Sequence, residues 1–182
     1  MGTENKYVVK ILKTNEQLVE AIKALAVRLN ERFVDKDKEV VFITIMKGGF
    51  PFSAELMKHI NFDMTMDFIT ASSYYLDKRS DEIKTRYEAS RPIKGKDVVI
   101  LDDLIDSGNT IIKVGHILEA YKPRSISVAA MWGKSTRSKI KYDEYYAFEG
   151  NPGGFLLGFG LDYDEKYRNL PYVAIMEDKD AK

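Results

Sequence analysis

The sequence predicts an α/β protein built on a doubly wound, mostly parallel sheet. Residues 40–46, 98–101 and 125–132 are near-continuous apolar runs, which are typical of strands buried on both faces of a sheet. Segments with apolar residues at helical spacing lie between these runs, and strands that alternate with helices favour a parallel sheet covered by helices. Short strand candidates near the end of the chain predict a small hood over the C-terminal edge of the sheet.

The first elements follow from local signals. Residues 7–12 are a short strand candidate, and Thr14 then begins a capping sequence for a helix. Residues 40–46 form the next predicted strand, which ends at a Lys-Gly-Gly segment, and Pro51 opens the second helix. One face of the first helix carries the apolar residues Leu18, Ile22, Leu25, Ala26 and Leu29.

Later elements are placed by the same reasoning. Residues 64–71 predict a third strand, and the polar segment 72–91 predicts a loop or a loose hairpin. The strand at 98–101 closes at two carboxylates, and an amphipathic helix follows it. After residues 125–132, the remaining strand candidates are residues 145–148, 155–159 and 172–176.

Length and composition limit the classes of protein. With 182 residues we expect one domain, with a core at about 13–132, a hood from 1–12 and about 133–182, and a mobile lid at about 73–88. Lys plus Arg and Asp plus Glu both number 28, so no overall charge favours nucleic acid or an anionic membrane. The absence of cysteine excludes disulfides and a thiol nucleophile. Without a signal-like or membrane-spanning apolar stretch, we expect a cytoplasmic protein.

The segment 98–110 carries the strongest functional signal. Asp102 and Asp103 follow the apolar run, Asp106 comes three residues later, and the turn Ser107-Gly108-Asn109-Thr110 opens a helix. Amides and hydroxyls at a helix N-terminus bind anions, so the turn predicts a phosphate site. Carboxylates beside a phosphate site imply ribose hydroxyls, a divalent metal, or both. Each feature alone is also ordinary turn or helix-cap chemistry, with Asp106 as a candidate cap.

This segment closely resembles the ribose-phosphate loop of the type I phosphoribosyltransferases, which use 5-phosphoribosyl 1-diphosphate (PRPP). Three further segments, which occur along this chain in the same order as in that family, resemble its hypoxanthine-guanine branch. Met46-Lys47-Gly48-Gly49 resembles its diphosphate loop, Ser72-Ser73-Tyr74 resembles the start of its flap, and Lys134 with Phe155 and residues 158–170 resembles its purine pocket. The resemblance covers residues 8–176 and implies the type I phosphoribosyltransferase fold.

The resemblance also implies roles for individual residues on the phosphate and ribose side. Lys47, Gly48 and Arg168 would bind diphosphate, with the Lys47–Gly48 peptide able to be cis. Asp102 and Asp103 would hold the ribose hydroxyls with Mg²⁺, the expected cofactor, with Asp102 contacting either the metal or only the sugar. Asp162 would contribute to a second metal site. The 5′-phosphate site would comprise Asp106, Ser107, Gly108, Asn109 and Thr110.

On the purine side, the resemblance makes Asp106 the general base toward the N7 proton. Lys134 would donate to the purine O6, which selects 6-oxopurines over adenine. Phe155 would stack on the base, although it could equally belong to the core, and Leu156 and Asp162 would complete the pocket. Ser73 and Tyr74 would belong to the lid.

The expected activity is transfer of the phosphoribosyl group from PRPP to hypoxanthine or guanine, giving IMP or GMP. A xanthine- or adenine-preferring enzyme and a nucleic-acid-binding regulator on the same fold are the alternatives. A regulator should show an added DNA-binding domain or a basic face, and the neutral chain argues against it. We expect PRPP and a 6-oxopurine as ligands, no membrane or nucleic-acid partner, and a homodimer or homotetramer.

Overall fold

The computed structural model describes residues 7–35, 38–72, 84–86, 92–134 and 139–178. These residues form nine strands and three α-helices. In chain order they are β1 (Tyr7–Lys13), α1 (Asn15–Arg32), β2 (Val40–Met46), α2 (Gly49–Leu56) with a 3₁₀ turn (Met57–His59), β3 (Met64–Ser72), β4 (Lys84–Arg86), β5 (Asp97–Ile105), α3 (Asn109–Glu119), β6 (Ser125–Gly133), β7 (Asp143–Glu149), β8 (Phe155–Leu157) and β9 (Val173–Asp178).

The larger sheet has six strands in the order β4-β3-β2-β5-β6-β7. The five strands from β3 to β7 in this order are parallel, whereas β4 pairs antiparallel with β3. The β3–β4 pairing agrees with the hairpin alternative for residues 72–91. The predicted lid residues Ser73 and Tyr74, and most of 73–88, lie outside the described residues. The predicted doubly wound, mostly parallel sheet is confirmed.

Helices cover both faces of this sheet. Successive strand residues point to opposite faces and therefore pack against different helices. Phe42 packs in a cluster with the apolar faces of α1 and α2, whereas its neighbour Ile43 packs in a second cluster with α3. The two clusters are the core of the protein. No helix among the described residues combines the length and apolarity needed to cross a membrane.

Helix α1 begins as its sequence predicted. The Thr14 hydroxyl accepts a hydrogen bond from the backbone N–H of Gln17, and the Gln17 side chain accepts one from the Thr14 N–H, which completes a capping box. The five apolar residues predicted to share one face are all buried. This face attaches α1 to the sheet.

The hood is a second, three-stranded antiparallel sheet in the order β1-β9-β8. Its residues Leu156, Val173 and Ile175 join the core cluster of α1 and α2. Strand β7 lies within the range 133–182 expected for the hood, yet it pairs parallel with β6 as the edge of the larger sheet. Because an edge strand pairs on one side only, β7 is half-exposed and lacks the apolar run of a central strand. The division into core and hood otherwise stays a prediction.

Strand β5 is longer than predicted and ends at Ile105 rather than at Leu101. Pairing with β2 stops at Leu101, but pairing with β6 continues through Asp102 and Leu104. The carboxylates of Asp102 and Asp103 therefore lie on the strand instead of after it. Regular backbone pairing on one side fixes their positions.

Candidate active site

A cavity of about 730 Å³ opens at the C-terminal ends of β2, β5 and β6. The direction in which the strands are added reverses between β2 and β5, and open α/β sheets bind ligands in the crevice outside such a reversal. The sheet side of the cavity carries Lys47 and Gly48 after β2, Asp102 and Asp103 on β5, and Lys134 after β6. From the hood side, the cavity is lined by Phe155, Leu156, Asp162, Glu165 and Arg168.

The Lys47 loop, residues 47–48, connects β2 to α2. Its cis peptide bond lies between Met46 and Lys47, one bond before the position that the resemblance implied. A Cβ atom on Gly48 would lie 2.0 Å from Asp103 Oδ2, so this carboxylate packs directly against the loop backbone. Lys47 is exposed, and its Nζ lies 2.7 Å from Glu165 Oε2. Glycine at position 48 thus permits the close approach of an acidic side chain to the loop.

Asp102 and Asp103, which we call the acidic pair, are held in a desolvated position. Asp102 Oδ1 accepts a hydrogen bond from the Asp103 N–H (3.0 Å), and Asp103 Oδ1 accepts one from the Leu104 N–H (2.8 Å). Burial raises the pKa of Asp102 well above its usual value, and the neighbouring Asp103 carboxylate raises it further. Burial also raises the pKa of Asp103. A cation at the pair would favour the ionised form of both groups.

The donor set of the acidic pair fits Mg²⁺. Mg²⁺ prefers oxygen ligands and takes one or two protein carboxylates, with water and substrate oxygens completing its shell. Among the described residues, no three acidic or histidine side chains lie close enough to bind one ion together. Asp102, Asp103 and Asp162 therefore do not form a single ligand group, and the assignment of Asp162 to a second metal site stays a prediction.

The predicted phosphate turn lies between β5 and α3. Gly108 is the N-cap of α3 with φ +78°, a left-handed conformation that favours glycine, and no side chain caps the helix. The Asn109 N–H donates to Ser107 Oγ at 3.4 Å. The alternative in which Asp106 caps the helix is wrong, because the left-handed turn at Gly108 makes that residue the cap. Apart from this Ser107 contact, the Gly108 cap places no side-chain acceptor over the first turn of α3 in the described part of the chain, so its amides can bind an anion.

Asp106 faces Lys134 across the part of the cavity that is predicted to bind the purine. Lys134 Nζ lies 3.3 Å from Asp106 Oδ2, and the Lys134 N–H donates to the Ile105 carbonyl at 2.9 Å. The Lys134 side chain is mostly buried, whereas Asp106 is exposed. The structure therefore brings together the two side chains predicted to contact the purine N7 and O6.

Phe155 lines the cavity and is 45% exposed, so it does not belong to the core. Its ring meets Tyr163 edge-on at a centroid distance of 5.6 Å. The adjacent Leu156 is buried in the core and also reaches the cavity wall. Phe155 and the Asp106–Lys134 pair thus line the same cavity.

The loop that joins β8 to β9, residues 158–172, brings the hood against the Lys47 loop. A Cβ atom on Gly160 would lie 2.1 Å from the Gly48 carbonyl oxygen, and Gly160 has φ +101°. The Gly160 carbonyl accepts a hydrogen bond from Arg168 Nη1 at 2.8 Å. Arg168 Nη2 lies 2.8 Å from Asp162 Oδ1. This loop therefore fixes a guanidinium beside the Lys47 loop.

Most of the predicted site residues meet at this cavity. Ser107, Gly108 and Asn109 form the turn between two lining residues, Asp106 and Thr110. Sequence reasoning missed Thr70 at the end of β3 and Glu165 in the loop at 158–172. For Glu165 a signal existed, since it stands three residues before Arg168 in a run of charged residues. The lining residues that were predicted are Lys47, Gly48, Asp102, Asp103, Asp106, Thr110, Lys134, Phe155, Leu156, Asp162 and Arg168.

Comparison with known proteins identifies the family. The sequence profile of the phosphoribosyl transferase domain matches residues 8–164, and the chain belongs to this family. The hypoxanthine-guanine phosphoribosyltransferase of Streptococcus thermophilus is 35% identical over 175 residues, which cover 96% of each protein. The hypoxanthine phosphoribosyltransferase of Salmonella typhimurium is 32% identical over 170 residues, covering 93% of this chain and 96% of that protein.

The fold comparison agrees with the sequence comparison. A crystal structure of a hypoxanthine-guanine phosphoribosyltransferase from Bacillus anthracis matches with a TM-score of 0.81 and 36% identity. The match covers 92% of this chain and 98% of that chain. The resemblance to the type I phosphoribosyltransferases is therefore confirmed in sequence and in fold.

Proposed function

We propose that this protein transfers the 5-phosphoribosyl group of PRPP to hypoxanthine or guanine, giving IMP or GMP plus diphosphate in purine salvage. The observation that carries this proposal is the Asp106–Lys134 pair, which shares one cavity with the Lys47 loop, the acidic pair and the phosphate turn. The names and high coverage of the relatives support it. The proposal includes a cytoplasmic location and a homodimer or homotetramer, as the resemblance implies.

Anion binding would be divided between two ends of the cavity. The 5′-phosphate would bind the amides and hydroxyls of residues 107–110 at the start of α3, where the Gly108 cap adds no side chain. Diphosphate would bind the Lys47 ammonium, the backbone of Gly48 and the forked guanidinium of Arg168. The acidic pair between them would hold the ribose hydroxyls, because carboxylates accept hydrogen bonds from hydroxyls.

The acidic pair would also hold Mg²⁺, as its oxygen donors allow. When bound, Mg²⁺ would neutralise charge on the departing diphosphate and help to fix the ribose. The contact between Asp103 and Gly48 places one of these carboxylates against the Lys47 loop, where the diphosphate would bind.

The spacing of Lys134 and Asp106 suits a 6-oxopurine. O6 and N7 lie on the same edge of the base, so a donor and an acceptor 3.3 Å apart match the O6 acceptor and the N7 proton. A base nitrogen would attack the anomeric carbon, diphosphate would leave with the electron pair of its C–O bond, and the N7 proton would pass to Asp106. Adenine carries an amino group at position 6, which would face the Lys134 donors without an acceptor.

The reaction can be tested by incubating the protein with PRPP, Mg²⁺ and guanine, hypoxanthine, xanthine or adenine in turn. We expect GMP and IMP from the first two bases and loss of turnover when a chelator removes Mg²⁺. Faster conversion of xanthine would establish the xanthine-preferring alternative. Absence of nucleotide from guanine and hypoxanthine, or turnover insensitive to chelator, would contradict the proposal.

A further inference from the structure

We propose that Glu165 is an internal anion that occupies the diphosphate subsite between Lys47 and Arg168 and leaves it when diphosphate binds. The inference rests on the proposed function, because that function assigns these two cations to diphosphate. It adds a role for a carboxylate that the reaction itself does not require. Glu165 would thereby set the affinity of the enzyme for diphosphate.

The two oxygens of Glu165 contact the two cations separately. Oε2 lies 2.7 Å from Lys47 Nζ, and Oε1 lies 3.2 Å from Arg168 Nη2. The carboxylate therefore bridges the Lys47 loop and the loop at 158–172, the two segments that face the subsite. Glutamate is ionised at neutral pH, so both contacts are ionic.

The backbone holds Glu165 in this position. Its N–H donates to Asp162 Oδ2 at 2.9 Å, while the other oxygen of Asp162 contacts Arg168 Nη2. Glu165 itself has φ +60°, a left-handed conformation that is uncommon for residues other than glycine. The close contact of Gly160 with the Gly48 carbonyl keeps this loop against the Lys47 loop. The bridge is thus part of a fixed arrangement of the loop.

The loop backbone is fixed, but the Glu165 carboxylate can still be displaced from the two cations. The Glu165 side chain is 54% exposed, so it can rotate into water without crossing the core. Exposed ion pairs contribute little individually, and diphosphate brings more negative charge than one carboxylate. Diphosphate binding must therefore compete with Glu165, and removing this competitor should raise the affinity.

The test is calorimetric titration of the whole protein with inorganic diphosphate in the presence of Mg²⁺. Glu165→Gln should bind diphosphate about 3- to 10-fold more tightly than the unmodified protein, the range expected when two exposed ion pairs are lost. Glu165→Asp keeps the charge but is one methylene too short to bridge both cations, so it should also bind more tightly.

Asp164→Asn is the matched control. Asp164 is the neighbouring residue, is also left-handed (φ +52°) and is paired with Lys166 at 3.7 Å instead of with the two cations. The substitution removes the same charge from the same loop, and we expect less than about a twofold change in affinity because the exposed pair is weak.

The outcomes separate this inference from the proposed function. If the unmodified protein binds no diphosphate, the proposed function and the inference both fail. If it binds diphosphate and Glu165→Gln is no tighter, the inference alone is wrong. An equal gain in Glu165→Gln and Asp164→Asn would assign the effect to general charge and would also overturn it.

Discussion

Replacing Gly48 by alanine should weaken PRPP binding while leaving the fold intact. Gly48 has φ −62° and ψ −44°, which any residue adopts, so the methyl group adds no backbone strain. The new Cβ atom would lie 2.0 Å from Asp103 Oδ2 and 2.7 Å from Asp103 Cγ. These are side-chain atoms, so the clash is relieved when Asp103 rotates away from the Lys47 loop and from the ligand.

The effects on stability and on binding differ in size. Rotation of Asp103 would break the hydrogen bond from Leu104, at a net cost of ~0.5–1.5 kcal/mol. Alanine at a compatible position stabilises by ~0.4–1 kcal/mol through the unfolded state, so the net change should stay within about 1 kcal/mol. Losing a contact to a charged ligand costs ~1.5–3 kcal/mol, which weakens PRPP binding about 10- to 150-fold.

The measurement combines calorimetry of PRPP binding in Mg²⁺ with thermal unfolding. Asp103→Ala is the matched background, because it removes the side chain that the new methyl group would displace. In a double-mutant cycle, adding Gly48→Ala to Asp103→Ala should cause little further loss of affinity. Equal losses in both backgrounds would show that the methyl group acts on the loop backbone and not through Asp103, and the reasoning would be refuted.

Three further predictions concern other residues. Lys134→Ala should raise KM for guanine and hypoxanthine about 10- to 150-fold, which corresponds to a loss of ~1.5–3 kcal/mol of binding free energy. KM for PRPP should rise much less, because the lost donor faces only the base, and equal changes in steady-state kinetics would contradict this. Asp106→Asn should lower kcat ~10²–10⁴-fold, and its Tm should change little, because Gly108 caps the helix and the Asp106 end of the ion pair with Lys134 is exposed; a large loss of Tm with normal turnover would show a structural role. Burial opposes ionisation of Asp97, but hydrogen bonds from Arg124 and Ser125 outweigh it and hold its pKa below the usual range. This stabilisation is complete above the unfolded-state pKa of about 3.9 and is lost as pH falls through the folded-state pKa. Asp97→Asn should therefore lower Tm at pH 7 by about 2–8 °C, with a difference from the unmodified protein that shrinks below about pH 4.

Local chemistry explains why the strands and helices were predictable. The start of α1 follows from a capping box, and β2 from an apolar run that is buried along nearly its whole length. Both signals lie within a few residues of the structure that they specify. The end of β5 was not predictable in this way, because Asp102 stays in the strand only through pairing with β6, a partner more than twenty residues away.

The parts of the site that the sequence could predict are also specified by residues close together in the chain. The Lys47 loop and the phosphate turn are short segments whose glycines and hydroxyls indicate anion binding before any packing is known. Sequence could identify these segments because their chemistry is carried by neighbouring residues. The sequence did not indicate which charged side chains would contact each other across the cavity.

The carboxylates that pair with the lysines of the site come from distant parts of the chain. Glu165 pairs with Lys47 from 118 residues away, and Asp106 pairs with Lys134 from 28 residues away. The Lys47–Glu165 contact exists because the hood packs on the same core cluster as α1 and α2, which brings the loop at 158–172 against the Lys47 loop. The Asp106–Lys134 contact exists because β5 and β6 are paired along their C-terminal ends. In both pairs, a cation proposed to bind substrate already has a carboxylate partner. At the Lys47–Arg168 subsite, diphosphate affinity is therefore a difference between two sets of ionic contacts, and variants of Glu165 should reveal it as directly as variants of the cations.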